Sequence, residues 1–157
     1  MNFKKKIIGL ILICIGLSCG TLGGIGPKFY FSTSKVKLEK AFSKLYAENP
    51  KYSIPDSLKK YDDWSKRGYD FLAGRVLYFD TPPKELYYVT YIGDSTDLLD
   101  TTKIGIAVRA VCIPKKSSKW LLGEELSDSE KNRIAKRFND EIISKLDEYT
   151  NSKAFKE

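Results

Sequence analysis

The chain has no histidine among its 157 residues, a single methionine and three cysteines. The missing histidine excludes Ser-His and Cys-His nucleophile pairs and removes most zinc sites with them. Cys14 and Cys19 fall in an apolar N-terminal run, so Cys112 stands alone in the remainder and an internal disulfide is excluded there. No glycine-rich phosphate loop is present. The charges are not segregated by sign either. The formal net charge is +7, of which Lys4, Lys5 and Lys6 supply three and the rest of the chain +4. Acids and bases interleave, as in Lys37-Leu38-Glu39-Lys40 and Asp62-Asp63-Trp64-Ser65-Lys66-Arg67. A nucleic-acid footprint gathers basic residues on one face. The pattern here reads as a mixed, solvated surface with no nucleic-acid partner. Neither a cofactor nor a resident metal is expected.

What is present is a charge-free stretch and a tyrosine-rich remainder. Residues 7–26 read IIGLILICIGLSCGTLGGIG, twenty residues without a charge, directly after three lysines. Beyond the leader lie about 130 residues, one domain by the usual size range. A domain of that size buries roughly two-thirds of its unfolded surface and needs no disulfide or metal. Apolar residues make up 42% of the chain, too many for a disordered polymer.

The leader has two unequal halves. Residues 7–17 form an eleven-residue apolar core behind a basic start, the layout of an export signal. Residues 18–26 hold mostly small side chains. The junction, Gly16-Leu17-Ser18-Cys19, resembles the processing box of bacterial lipoprotein signal peptides, in which a small residue precedes an obligatory Cys. Ser18 and Cys19 fit the last two positions; Gly16 stands where that family usually has Leu. The resemblance implies cleavage before Cys19, a diacylglycerol on its thiol and an acyl chain on its new amino group. Several acyl chains anchor stably where one is marginal. Two other readings stand beside it. Twenty uncharged residues are long enough to span a bilayer, and Gly16, Gly20 and Gly24 are spaced for helix pairing. A plain cleaved signal is the third. All three place the domain outside the cytoplasm of a bacterial host, in the cell envelope.

The expected organisation is a signal peptide or anchor over 1–18, a tether over 19–32, one α+β domain over 33–150 and a frayed tail over 151–157. Ser34 caps a helix to residue 49, with Leu38, Ala41, Phe42, Leu45 and Tyr46 on one stripe. Asp56 caps a short helix over 57–63. Residues 64–72 are aromatic and aperiodic, a lid over the core in preference to a binding loop. Strands are expected over 75–80, 86–92 and 103–113, with a short edge strand over 119–122. Strict alternation puts Ile104, Ile106, Val108, Ala110 and Cys112 on one face of the third strand, and Arg109 on the other. Ser127 and Glu130 form a capping box for a last helix carrying Ile134, Phe138, Ile142, Leu146 and Tyr149. The fold expected is an antiparallel sheet of three to four strands packed on an N-terminal and a C-terminal helix, in two layers.

Three places invite a functional reading. Asp94, Asp97 and Asp100 crowd one loop; side-chain turns are the simpler account, with a Ca²⁺ site or an acid pair behind it. Cys112 reads as a buried structural thiol. Trp64, Tyr69, Tyr87, Tyr91 and Arg109 are the candidate partner surface, because Tyr, Trp and Arg are what interfaces enrich. The expectation is a membrane-tethered, non-enzymatic binding or structural module with a protein or cell-wall partner. An immunity-type inhibitor of a toxin, a carboxylate-based hydrolase and a single-pass subunit of a membrane complex are the alternatives.

Overall fold

The structure is a computed structural model and describes residues 23–69, 72–116 and 118–157. The leader up to residue 22, with Cys19, lies outside the described residues, as do Asp70 and Phe71. The fold is α+β, built on one antiparallel sheet. In chain order it runs β1 (Phe29–Phe31), α1 (Lys35–Glu48), β2 (Gly74–Phe79), β3 (Glu85–Ile92), β4 (Ile104–Cys112), β5 (Leu121–Leu122), α2 (Asp128–Phe138), α3 (Ser144–Thr150) and β6 (Phe155–Lys156). The sheet order is β2-β3-β4-β1-β6, with β5 on β4 beside β1. The class and the sheet are as expected; among the described residues the strand count is six instead of three to four.

The two additional full members come from the segments read as tether and tail. Phe29–Phe31 pairs with Ile104–Ile106 of β4, and the Ile25 N–H already donates to the Val108 carbonyl at 2.7 Å. Ile25, Phe29 and Phe31 are buried. At the other terminus Phe155 pairs with Tyr30, and Lys28 and Glu157 exchange two backbone hydrogen bonds of 3.2 Å. The tail is therefore ordered sheet. Three-residue and two-residue strands carry no period, and glycines flank the first, so neither shows in a hydrophobic pattern.

The helices form where caps and stripes coincide. The Ser34 hydroxyl accepts from the Lys37 N–H, and Leu38, Ala41, Phe42 and Leu45 face the sheet, fully buried or nearly so. Ser127 and Glu130 make their reciprocal capping box. Ile134, Phe138, Ile142 and Leu146 are buried at a spacing of four. A strict spacing of four outruns the 3.6 residues of an α-helical turn. A π turn over Asn139–Ile143 takes up the excess and keeps the stripe on the core. After it, Asn151 adopts the left-handed conformation that closes α3. Residues 50–67 form three short 3-10 turns in place of one capped helix; the Asp56 side chain does not cap its turn, Asp56–Tyr61.

One irregularity decides which side chains share a face. Tyr88 pairs with Ala110 but Val89 pairs with Val108, so Arg109 is the extra residue of a β-bulge. The bulge shifts the alternation by one. Ile104, Ile106, Val108 and then Val111 point to the helix-covered core, whereas Ala110 and Cys112 point to the opposite side. The expected single row from Ile104 to Cys112 is thus broken at Arg109. A bulge has no hydropathy signature of its own.

Candidate functional site

The helix-covered face holds Tyr87, Val89 and Tyr91 of β3 within the main core. Tyr87 is fully buried and Tyr91 nearly so; neither lines a surface, contrary to the sequence expectation. Each hydroxyl belongs to a polar cluster under the helices. The Tyr87 hydroxyl donates to Glu85 Oε2 at 2.8 Å. Glu85 has no exposed surface, and it receives two bonds from Arg133 and one from Arg137. Arg137 also donates to the Pro83 carbonyl, to the Thr81 carbonyl and hydroxyl, and to Glu141. The Tyr52 hydroxyl closes the set on Glu141 Oε2 at 3.2 Å. One carboxylate thus ties α2 to the turn that joins β2 and β3. Burial, then the Glu85 charge, raises the Tyr87 pKa well above the ordinary phenol range. Burial and Glu141 push Tyr52 up to about 12.

Tyr91 is held from the side. Arg75 donates to its hydroxyl at 3.3 Å and to Glu39 at 2.7 Å, with the guanidinium carbon 3.8 Å over the Phe42 ring. Burial alone would raise the Glu39 pKa. The Arg75 hydrogen bond, the Tyr91 hydroxyl and the Arg75 charge more than offset it, so the carboxyl sits below its ordinary value.

The opposite face is closed by aromatic rings from irregular segments. Trp64 lies flat on Tyr88, with centroids 4.0 Å apart and planes 6° from parallel. Tyr69 meets Trp64 edge-on at 5.4 Å, and Trp120 tilts against it at 5.2 Å. The Trp120 indole N–H donates to the Tyr61 carbonyl at 3.1 Å. The Trp64 indole nitrogen is buried and has no hydrogen-bond partner among the described residues. This is a lid, as the aperiodic aromatic run suggested, and it covers the sheet's second face. Trp64 is buried in it and Tyr69 half-buried. Arg109 is half-buried at its bulge and donates to Thr90 Oγ1 at 2.8 Å. Burial lowers its pKa from the ordinary guanidinium value. Cys112 is fully buried beneath the lid, and burial raises its thiol to about 11, which makes it unreactive at neutral pH.

The five predicted surface residues therefore divide. Tyr87 and Tyr91 belong to one core and Trp64, Tyr69 and Arg109 to the other side of the sheet. They form no common patch. The residues that sequence reasoning passed over are Glu85, Arg133 and Arg137. Glu85 follows Lys84 at a turn and looks solvated in the sequence; only the fold brings two arginines to it.

The acidic loop makes side-chain turns. Asp94 Oδ1 accepts from the Thr96 and Asp97 N–H groups, Asp97 Oδ2 from the Asp94 N–H, and Asp100 Oδ1 from the Thr102 N–H and hydroxyl. A shallow cavity of about 230 Å³ lies beside it, lined by Tyr30, Asp97, Asp100 and Lys103. The Tyr30 ring packs against Gly105, where a Cβ would stand 2.5 Å from it. A wider cavity of about 590 Å³ flanks the free edge of β2, between Tyr46, Ile54, Lys59, Asp62 and Arg75. Among the described residues no group of three or more His, Cys, Asp or Glu is placed to hold a metal ion. Among the same residues no helix is long and apolar enough to cross a membrane.

Fold and geometry define an α+β domain on an antiparallel sheet whose faces are closed by two different means. No protein-family model, no curated protein and no solved structure matches the chain.

Proposed function

We propose that this protein is a membrane-tethered bacterial envelope lipoprotein, a non-enzymatic binding or structural module with a protein or cell-wall partner. The observation that carries the reading is Cys19, behind Ser18 at the end of an apolar, lysine-led run and six residues ahead of Ile25, where the chain meets the sheet. A cleaved, acylated Cys19 would leave the domain on a short leash at the membrane surface. The engaged state of Asp94, Asp97 and Asp100 supports a binding module over a hydrolase, because carboxylates that satisfy their own loop are poorly placed to move a substrate proton. The test is mass spectrometry of the full-length protein purified from membranes. A chain beginning at Cys19 with added acyl mass is the expected result. An intact Met1 without lipid would sink the reading in favour of a spanning anchor.

A further inference from the structure

The strongest unassigned surface lies between α1 and α3. Lys37, Lys40 and Lys44 stand in one row, three and four residues apart, on the same side of α1. They line a groove of about 340 Å³ floored by Ala41, Tyr149 and Thr150. Lys44 sits 4.6 Å above the Tyr149 ring and 3.7 Å from Glu48. Glu48 is itself bound by the Tyr149 hydroxyl at 2.7 Å. Lys37 and Lys40 make no ion pair among the described residues. Both are exposed, so with Glu48 set against Lys44 the groove still presents net positive charge through Lys37 and Lys40.

We propose that Lys37, Lys40 and Lys44 are a docking surface for anionic phospholipid headgroups. The inference rests on the membrane-tethered reading above. Two facts favour lipid over an acidic protein. Residues 20–24 separate Cys19 from Ile25, and the six steps between those two residues reach at most about 22 Å. A domain so held remains near the bilayer without any second encounter. The chain also meets the sheet beneath the helix layer: a Cβ on Gly26 would stand 2.6 Å from the Ala135 Cβ of α2. The lysine row belongs to that same layer. An acidic protein partner would in addition need an apolar anchor at the centre of its contact. Here Ala41 is buried and Tyr149 is covered by Lys44. Headgroups need only charge, which acts within a Debye length of the surface.

The test uses the full-length protein reconstituted in protein-free vesicles of phosphatidylcholine, with or without about 30 mol % phosphatidylglycerol as the anionic component. Surface amines are acetylated with a water-soluble reagent, and each lysine is followed by mass spectrometry. With the anionic lipid, Lys37, Lys40 and Lys44 are expected to react about fivefold more slowly, reverting in ~1 M salt. Lys60 and Lys66, on the segment over the opposite sheet face, are expected to react equally in both vesicles. Equal reactivity of the row in both vesicles overturns the proposal. Protection in native membranes but not in protein-free vesicles also overturns it, in favour of an acidic protein. The mass at Cys19 is read separately. An acylated Cys19 with an unprotected row would sink the docking surface and leave the tether standing; protection of the row without acylation would do the reverse.

Discussion

The two faces of the sheet are closed by opposite strategies. On one, regular helices lay apolar stripes over Phe29, Phe31, Val89 and Ile106, and a buried carboxylate with two arginines fixes where α2 lies. On the other, short 3-10 turns and a loop stack Trp64, Tyr69 and Trp120 on Tyr88. The first face concentrates its specificity in directional polar bonds, which tolerate no missing partner. The second depends on ring area, which tolerates small losses. Perturbations matched in size are therefore expected to cost more on the helix side.

The sharpest break is Glu85→Ala. It takes the carboxylate from Arg133 and one of two carboxylates from Arg137 beside a buried space, leaving α2 held to the turn between β2 and β3 by the Arg137 bonds to Thr81 and Pro83. Removing one partner of a buried ion pair costs about 3–5 kcal/mol. Urea denaturation should show that loss as a lower midpoint at an unchanged slope. A loss under about 1 kcal/mol would mean that the cluster is solvated, as surface pairs are, and would erase the contrast between the faces.

Alkaline titration probes the aromatic face next. The Cys112 thiol has its pKa raised by burial from 9.0 to about 11. The folded chain then holds this proton more tightly than the unfolded chain. Its contribution is complete below pH 9 and is lost as pH rises through 11, on the order of 2 kcal/mol. Cys112→Ala is expected to make the fall of the stability curve shallower between those values, most clearly from pH 9 to 10. Tyr52, Tyr87 and Tyr91, all raised by burial from 10.0, add a fall of their own from about pH 10 upward in both proteins. A wild-type curve no steeper than that of Cys112→Ala from pH 9 to 11 would show that the lid admits water to Cys112.

The same division explains what could be read from the sequence. Ser34 with its stripe, the Ser127 capping box and the three β-prone runs announce themselves by period, and they account for the helix face. The sheet's outer members do not. Phe29–Phe31 and Phe155–Lys156 are too short to show alternation, and each is a strand only because β4 and then β1 offer it an edge. The bulge at Arg109 is equally silent. Strict alternation therefore put Cys112 on the wrong face and gave no means of sorting Tyr87 and Tyr91 from Trp64 and Tyr69. The aromatic lid was legible as composition, since rings gather where area is buried, but its stacking order depends on turns without period. The Glu85 cluster joins residues 48 and 52 positions apart, a distance at which no local pattern operates. Of the candidate surface, only residue types were legible; which face each type occupies was not.

The finest comparison lies within the lid. Trp64 and Trp120 are similarly buried, at 5% and 6% exposure, yet only the Trp120 indole N–H has a hydrogen-bond partner among the described residues. Replacing each by Phe removes similar ring area. At Trp64 nothing polar is lost, and the shed N–H leaves a purely apolar edge against Tyr88. At Trp120 the substitution leaves the Tyr61 carbonyl without its indole donor. A buried acceptor deprived of its partner costs about 1–3 kcal/mol beyond the area term. Trp120→Phe should therefore be less stable than Trp64→Phe by about 1 kcal/mol or more, read as a difference in urea midpoint between the two variants. Equal losses would mean that water reaches the Tyr61 carbonyl, and that the lid is looser than its ring contacts imply.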